Sequence, residues 1–179
     1  GLEHLQGLGP AIVVANHASY LDVVVLLANL PLDLRFAAKG RLTTYPVLGT
    51  IIPRAGYISL EKTNLSEQME GADEVSATLA TGESMFVFPE GTFVRAPGLL
   101  PFRLGAFRAA AQSKLPVIPI ALSGTRQIFP AGTLLLKPGP ITVTVNPPLV
   151  SNDATWNEIL RLRDQARHII VKTSHEAAG

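Results

Sequence analysis

In the segment Asn16-His17-Ala18-Ser19-Tyr20-Leu21-Asp22, an imidazole and a carboxylate lie close enough along the chain to meet across a single turn. A carboxylate that accepts a hydrogen bond from one ring nitrogen fixes the tautomer and leaves the other nitrogen free to take a proton from an attacking hydroxyl. His17 as base and Asp22 as orienting acid are therefore a candidate catalytic dyad. The same residues fit a plainer arrangement, in which Asp22 caps a helix beside an ordinary half-buried histidine. Ser19 formally completes a Ser-His-Asp set, but its place three residues before Asp22 suits an N-cap better than a nucleophile, so no covalent intermediate is expected on it. A second turn, Phe88-Pro89-Glu90-Gly91-Thr92, follows an apolar run and contains a glycine that lets backbone approach a ligand closely. Alone, it also fits a simple turn with a solvated glutamate.

These turns need elements to carry them. Residues 11–15 are small and β-branched after a Gly-Pro turn and predict a buried strand. Ser19 and Asp22 form the acidic version of a capping box, opening a helix to about residue 30, before Pro31. Strands are predicted at 34–38 and 57–60, on either side of the Pro- and Gly-interrupted segment YPVLGTIIPRAG. Leu65, Met69, Ala72, Val75 and Leu79 recur at helical spacing over 64–80. A strand in SMFVFPE, a helix over 104–114, a buried strand in VIPIAL, an edge or amphipathic strand in ITVTVN and a helix over 156–171 complete the chain. Alternating strands and helices predict an α/β fold, a mostly parallel central sheet flanked by helices, in one domain over 1–179. Both reactive turns then fall at strand ends, where open α/β sheets gather their sites.

Composition narrows the function classes. The 179 residues are 47% hydrophobic and 16% charged, which describes a packed domain with apolar surface to place rather than a disordered tail. A formal charge of +1 and 6% aromatic content argue against nucleic-acid binding. Without cysteine there is no disulfide, thiolate metal site or cysteine nucleophile, and His4, His168 and His175 form no ligand-like cluster, so no metal is expected. LDVVVLLANLPL contains Asp22 and Asn29 and falls short of the roughly 20 apolar residues of a spanning helix. The opening GLEHLQGLGP has no signal-peptide pattern and reads as the start of a piece excised from a longer protein.

NHASYLD followed by FPEGT, in that order, resembles the glycerophospholipid acyltransferase family, which includes the lysophosphatidic acid acyltransferases. KGRLTTYPVLGTIIPRAGYISLEKTN is similar to the family's second block, and PGLLPFRLGAF and VIPIAL to its third and fourth, so the likeness runs from about residue 5 to about residue 150. The resemblance implies transfer of a fatty acyl group from an acyl-CoA or acyl-carrier-protein thioester to a hydroxyl of a lysophospholipid or glycerol-phosphate-type acceptor, with no cofactor. It assigns the base to His17 and the orienting acid to Asp22, with the start of the following helix near Ala18 supplying amides for the oxyanion. Asn16, Glu90, Gly91 and Thr92 are implied to bind substrate, with Lys39, Arg95 and Arg103 as candidate cations for phosphate.

The family usually places an arginine after Glu-Gly-Thr; Phe93 stands there instead, and Leu60-Glu61-Lys62 replaces a common Asp-Arg pair. A guanidinium can grip phosphate through two parallel hydrogen bonds, so both changes weaken that grip and widen the acceptor to larger lysophospholipids or amino-acid-derived lysolipids. Val47, Leu48, Ile51 and Ile52, together with Leu99, Leu100 and Phe102, are expected to line an acyl channel or rest on a membrane. The expected location is the cytoplasmic face of a membrane. Two other functions fit the same dyad: a thioesterase or lipid esterase using water, or a non-catalytic lipid-binding module.

Overall fold

The computed structural model describes residues 1–30, 34–38, 58–59, 82–133 and 135–176. The expected helix at 64–80, Lys39 and the group Val47, Leu48, Ile51 and Ile52 lie outside the described residues.

Six strands form one sheet: β1 (Ile12–Ala15), β2 (Leu34–Ala38), β3 (Ile58–Ser59), β4 (Ser84–Val87), β5 (Val117–Ser123) and β6 (Thr142–Val145), in the order β3-β2-β4-β1-β5-β6. Every pairing among β1 to β5 is parallel, and β6 alone runs antiparallel, along the outer edge of β5. The mostly parallel α/β sheet expected from the alternation is thus present, with ITVTVN on the edge. Parallel strands open their C-terminal ends on one side. The turns after β1, β4 and β5 therefore meet there, although they are far apart in sequence.

Adjacent residues of a strand point to opposite faces, and in β1 both faces are covered. Ile12 and Val14 join Met85, Phe107, Leu162 and Ile170 on one side, while Val13 and Ala15 join Val23, Leu26, Ile118 and Ile120 on the other. Helix α1 (Leu21–Asn29) contributes Val23 and Leu26 to the second layer. Helices α2 (Gly105–Ser113) and α4 (Trp156–Ser174) build the first, packing on each other and, through α4, on β5. Their buried residues, Ala106, Phe107 and Ala110 on α2 and Ile159, Leu162, Ala166 and Ile170 on α4, recur at helical spacing. A short helix, α3 (Thr125–Ile128), follows β5 and was not foreseen; its four residues are too few to show a periodicity.

The expectation for the LLPF loop is overturned. Leu99 is 2% exposed and Phe102 4%, both inside the α2/α4 core, and Leu100 is half-buried. Apolar loop residues serve an interior as readily as a lipid face, and here the interior takes them. His168 and His175 are exposed, on α4 and directly after it, as expected.

Candidate active site

The turn after β1 puts His17 beside Asp22. Nδ1 of His17 lies 2.8 Å from Oδ2 of Asp22, and neither side chain is more than 10% exposed. Asp22 Oδ2 also accepts the amides of Ala18 at 2.6 Å and Ser19 at 2.8 Å. A carboxylate holding two backbone amides requires Nδ1 to be the protonated nitrogen that donates to it, which leaves Nε2 to receive a proton. Nε2 has no hydrogen-bond partner among the described residues. Asp22 therefore does both of the things the sequence offered: it closes the turn and orients the imidazole.

Two expectations change at this turn. The amides near Ala18 proposed for the oxyanion already donate to Asp22, so they are not free to stabilise a tetrahedral oxygen. Ser19 sits one position outside the helix cap, which is Tyr20; its hydroxyl accepts the amide of Leu21 at 3.1 Å and donates to the carbonyl of Phe129 at 2.7 Å. A hydroxyl engaged in that way away from the imidazole is no nucleophile, in keeping with the expectation that Ser19 is structural.

Asn16 has a different part from the one expected of it. Its carboxamide donates to the carbonyl of Leu122 at 2.9 Å and accepts the amide of Leu122 at 2.7 Å, extending the β1–β5 pairing with a side chain. At 1% exposure it is a clamp that fixes where β1 ends, not a group facing substrate.

The turn after β4 closes with the amide of Gly91 donating to the carbonyl of Phe88 at 3.0 Å. Glu90 is 4% exposed; one carboxylate oxygen accepts the amide of His17 at 2.7 Å and the other that of Leu100 at 2.7 Å. Burial pushes its carboxyl up to about 7, against the opposing pull of those two amides and of the Arg126 guanidinium. Glu90 thus ties three segments together at the base. Each oxygen is engaged with one backbone amide, so the observed part of Glu90 is to hold the turn.

Gly91 has φ +70, and a β-carbon there would lie 2.9 Å from Nε and 3.0 Å from Cζ of Arg103. The positive φ requires glycine, and any side chain there would have to displace the Arg103 guanidinium. Arg103 lies across the turn, its own amide donating to the carbonyl of Pro89 at 2.9 Å. Arg103, Thr92 and Arg95 are exposed, so the loop presents two cations and a hydroxyl outward.

Phenyl rings enclose the imidazole. Phe88 stacks on His17 with centroids 3.9 Å apart and planes 11° from parallel, and Phe93 approaches it at 4.3 Å and 55°. Tyr20 meets Phe93 edge-on at 4.8 Å. The two rings fix the position and plane of the imidazole. Phe88 and Phe93 were visible in the sequence as residues of the motif, but nothing in their spacing showed that both touch the base.

A histidine–aspartate pair at the mouth of the parallel strands of an α/β sheet has the geometry to activate a hydroxyl or a water. The family model described as Acyltransferase matches residues 1–123. A 1-acyl-sn-glycerol-3-phosphate acyltransferase of Cocos nucifera is 33% identical over 149 residues, covering 83% of this chain and 48% of that protein. Its counterpart from Limnanthes douglasii is 34% identical over 160 residues, covering 89% and 56%. The crystal structure of the 1-acyl-sn-glycerophosphate (LPA) acyltransferase PlsC from Thermotoga maritima superposes with a TM-score of 0.81 at 24% identity, covering 98% of this chain and 69% of that one, which establishes a shared fold. The chain belongs to the glycerophospholipid acyltransferase family, and it spans about half the length of the two plant relatives.

Proposed function

We propose that the chain catalyses transfer of a fatty acyl group from an acyl-CoA or acyl-carrier-protein thioester to a hydroxyl of a lysophospholipid or glycerol-phosphate-type acceptor. The 2.8 Å contact between His17 Nδ1 and Asp22 Oδ2 carries this reading. In the proposed step Nε2 of His17 removes the acceptor's hydroxyl proton as the oxygen attacks the thioester carbonyl. The tetrahedral intermediate then collapses, its C–S bond breaks, and the proton held on Nε2 passes to the departing sulfur. Asp22 keeps the imidazole oriented and offsets its charge while it is protonated. General-base assistance of this kind is worth roughly 10²- to 10⁴-fold.

Among the described residues Arg103, lying over Gly91, is the cation proposed for the acceptor's phosphate, with Arg95 and the Thr92 hydroxyl on the same exposed loop. Glu90 and Asn16 hold the turns that present these groups. No cofactor enters the scheme, and the thioester is a substrate. No described helix is long and apolar enough to cross a membrane. A lysophospholipid acceptor and the diacyl product reside in a bilayer, so the proposed working position is a membrane surface, on the cytoplasmic face where acyl thioesters are supplied.

The test is an acceptor screen with radiolabelled acyl-CoA and acyl-carrier protein against lysophosphatidic acid and larger lysophospholipids. Diacyl product should appear at the expense of free fatty acid as acceptor is added. Release of fatty acid at an undiminished rate with every acceptor would make the protein a hydrolase. Binding of lysolipid without any turnover dependent on His17 would make it a binding module.

A further inference from the structure

Residues 93–98 have no regular secondary structure, yet they deliver Phe93 onto the imidazole. They are held by a guanidinium from the short helix after β5 together with a carboxylate from just beyond α4. Arg126, at the start of α3, points NH1 at the carbonyls of Val94 at 2.5 Å and Ala96 at 2.7 Å, and NH2 at that of Gly98 at 3.4 Å. Its Nε donates to Glu176, just past the end of α4, at 2.8 Å. The second oxygen of that carboxylate accepts the amide of Gly98 at 3.0 Å. The two charged side chains are 10% and 11% exposed, so their pairing is largely shielded from solvent.

We infer that Arg126 and Glu176 are positioning residues for the reaction: a latch that fixes residues 93–98 so that Phe93 stays packed on His17. The inference rests on the reading of His17 as the base. The planar fork matters. One group satisfies three loop carbonyls and a carboxylate at once, which the point charge of a lysine on a flexible stem cannot do. Beyond the latch the same loop continues to Leu100, whose amide binds Glu90, and Glu90 in turn binds the amide of His17. Glu90 thus anchors the far end of the loop through its own hydrogen bonds, and Arg126 acts on the base through the ring contact of Phe93, without touching it.

The experiment compares wild type, Arg126→Lys, Phe93→Ala and the double variant in acyl transfer from radiolabelled acyl-CoA to lysophosphatidic acid, alongside hydrogen–deuterium exchange. Arg126→Lys is expected to lower kcat about 10-fold with the KM for acyl-CoA little changed, because the base is misplaced rather than the donor lost. In the Phe93→Ala background the same substitution should cost less than about twofold, the signature of two residues acting through one contact. Exchange should rise at residues 93–98 and stay unchanged in β1 and β5. Glu176→Gln, which leaves Arg126 in place, should give the same local rise in exchange and a smaller loss of kcat. Independent, multiplying losses, or exchange that rises equally through β5 and α4, would overturn the latch. Should wild type transfer no acyl group, the acyl-transfer reading fails, and the exchange pattern alone decides whether the latch exists.

Discussion

The turn after β1 holds its His17–Asp22 pair by itself: Asp22 accepts hydrogen bonds from His17, Ala18 and Ser19, all within five residues of it, while Leu122, Glu90 and Phe129 tie the turn's other polar groups to the rest of the fold. The turn after β4 is held from a distance. Glu90 reaches the amide of His17 across 73 positions of sequence, and Arg126 and Glu176 fix the loop beyond it from the ends of β5 and α4. One turn therefore pairs imidazole and carboxylate through local contacts, while the other depends on the assembled fold. In the proposed mechanism the two have different work, the first moving the proton and the second placing the acceptor.

That division has consequences of graded size. His17→Ala removes the proton acceptor and should lower acyl transfer by roughly 10²- to 10⁴-fold, with circular dichroism unchanged, since no backbone group depends on the ring. Asp22→Asn should approach the same loss, because the wrong donor would face Nδ1 and two amides, and it should also lower Tm. If Asp22→Asn lowered Tm but left kcat intact, the self-held turn would be structural and nothing more.

The second turn should respond more gently and in KM. Gly91→Ala forces a side chain into a left-handed conformation, at roughly 1–2 kcal/mol, and into the space of the Arg103 guanidinium. A rise of about 10-fold in the KM for phosphate-bearing acceptors, with kcat changed less, is the expected reading by steady-state kinetics. A matching fall in kcat with KM unmoved would mean that this turn also shapes the transition state.

The smallest effect is on stability against pH. The folded protein holds the Glu90 carboxyl at about 7, whereas the unfolded chain ionises it near 4.5. Between those values the folded state carries a proton that the unfolded state has lost, so stability is fully present below the lower value and declines as pH rises through the window. Glu90→Gln should flatten that decline in urea unfolding followed from pH 4.5 to 7.5. A slope identical to wild type would place the titration elsewhere.

The same contrast explains what could be read before the fold was known. NHASYLD disclosed its dyad because the partners sit one turn apart, where spacing and local geometry nearly coincide. The strands were legible as apolar runs bounded by turns, and strand–helix alternation implied a parallel sheet. Asn16 was misread because its partner, Leu122, is 106 residues away and becomes a neighbour through the adjacency of β1 and β5, which no local pattern encodes. The burial of Leu99 and Phe102 depended likewise on where α2 and α4 pack. Arg126 left one faint signal, a charged residue three positions past the end of the buried strand β5, which is a costly place for an unpaired guanidinium. Phe93 was noticed as a missing arginine, whereas its contact with His17 gives it a part of its own.

The central claim is that His17, oriented by Asp22, drives direct transfer between thioester and acceptor hydroxyl. Rapid acid quench of the folded protein with radiolabelled acyl-CoA and lysophosphatidic acid follows the acyl group itself. The account predicts that label passes from thioester to diacyl product with protein-bound label at background throughout, and that His17→Ala stops the passage. Label that accumulates on the protein and chases into product, or product formed at the wild-type rate by His17→Ala, would contradict it.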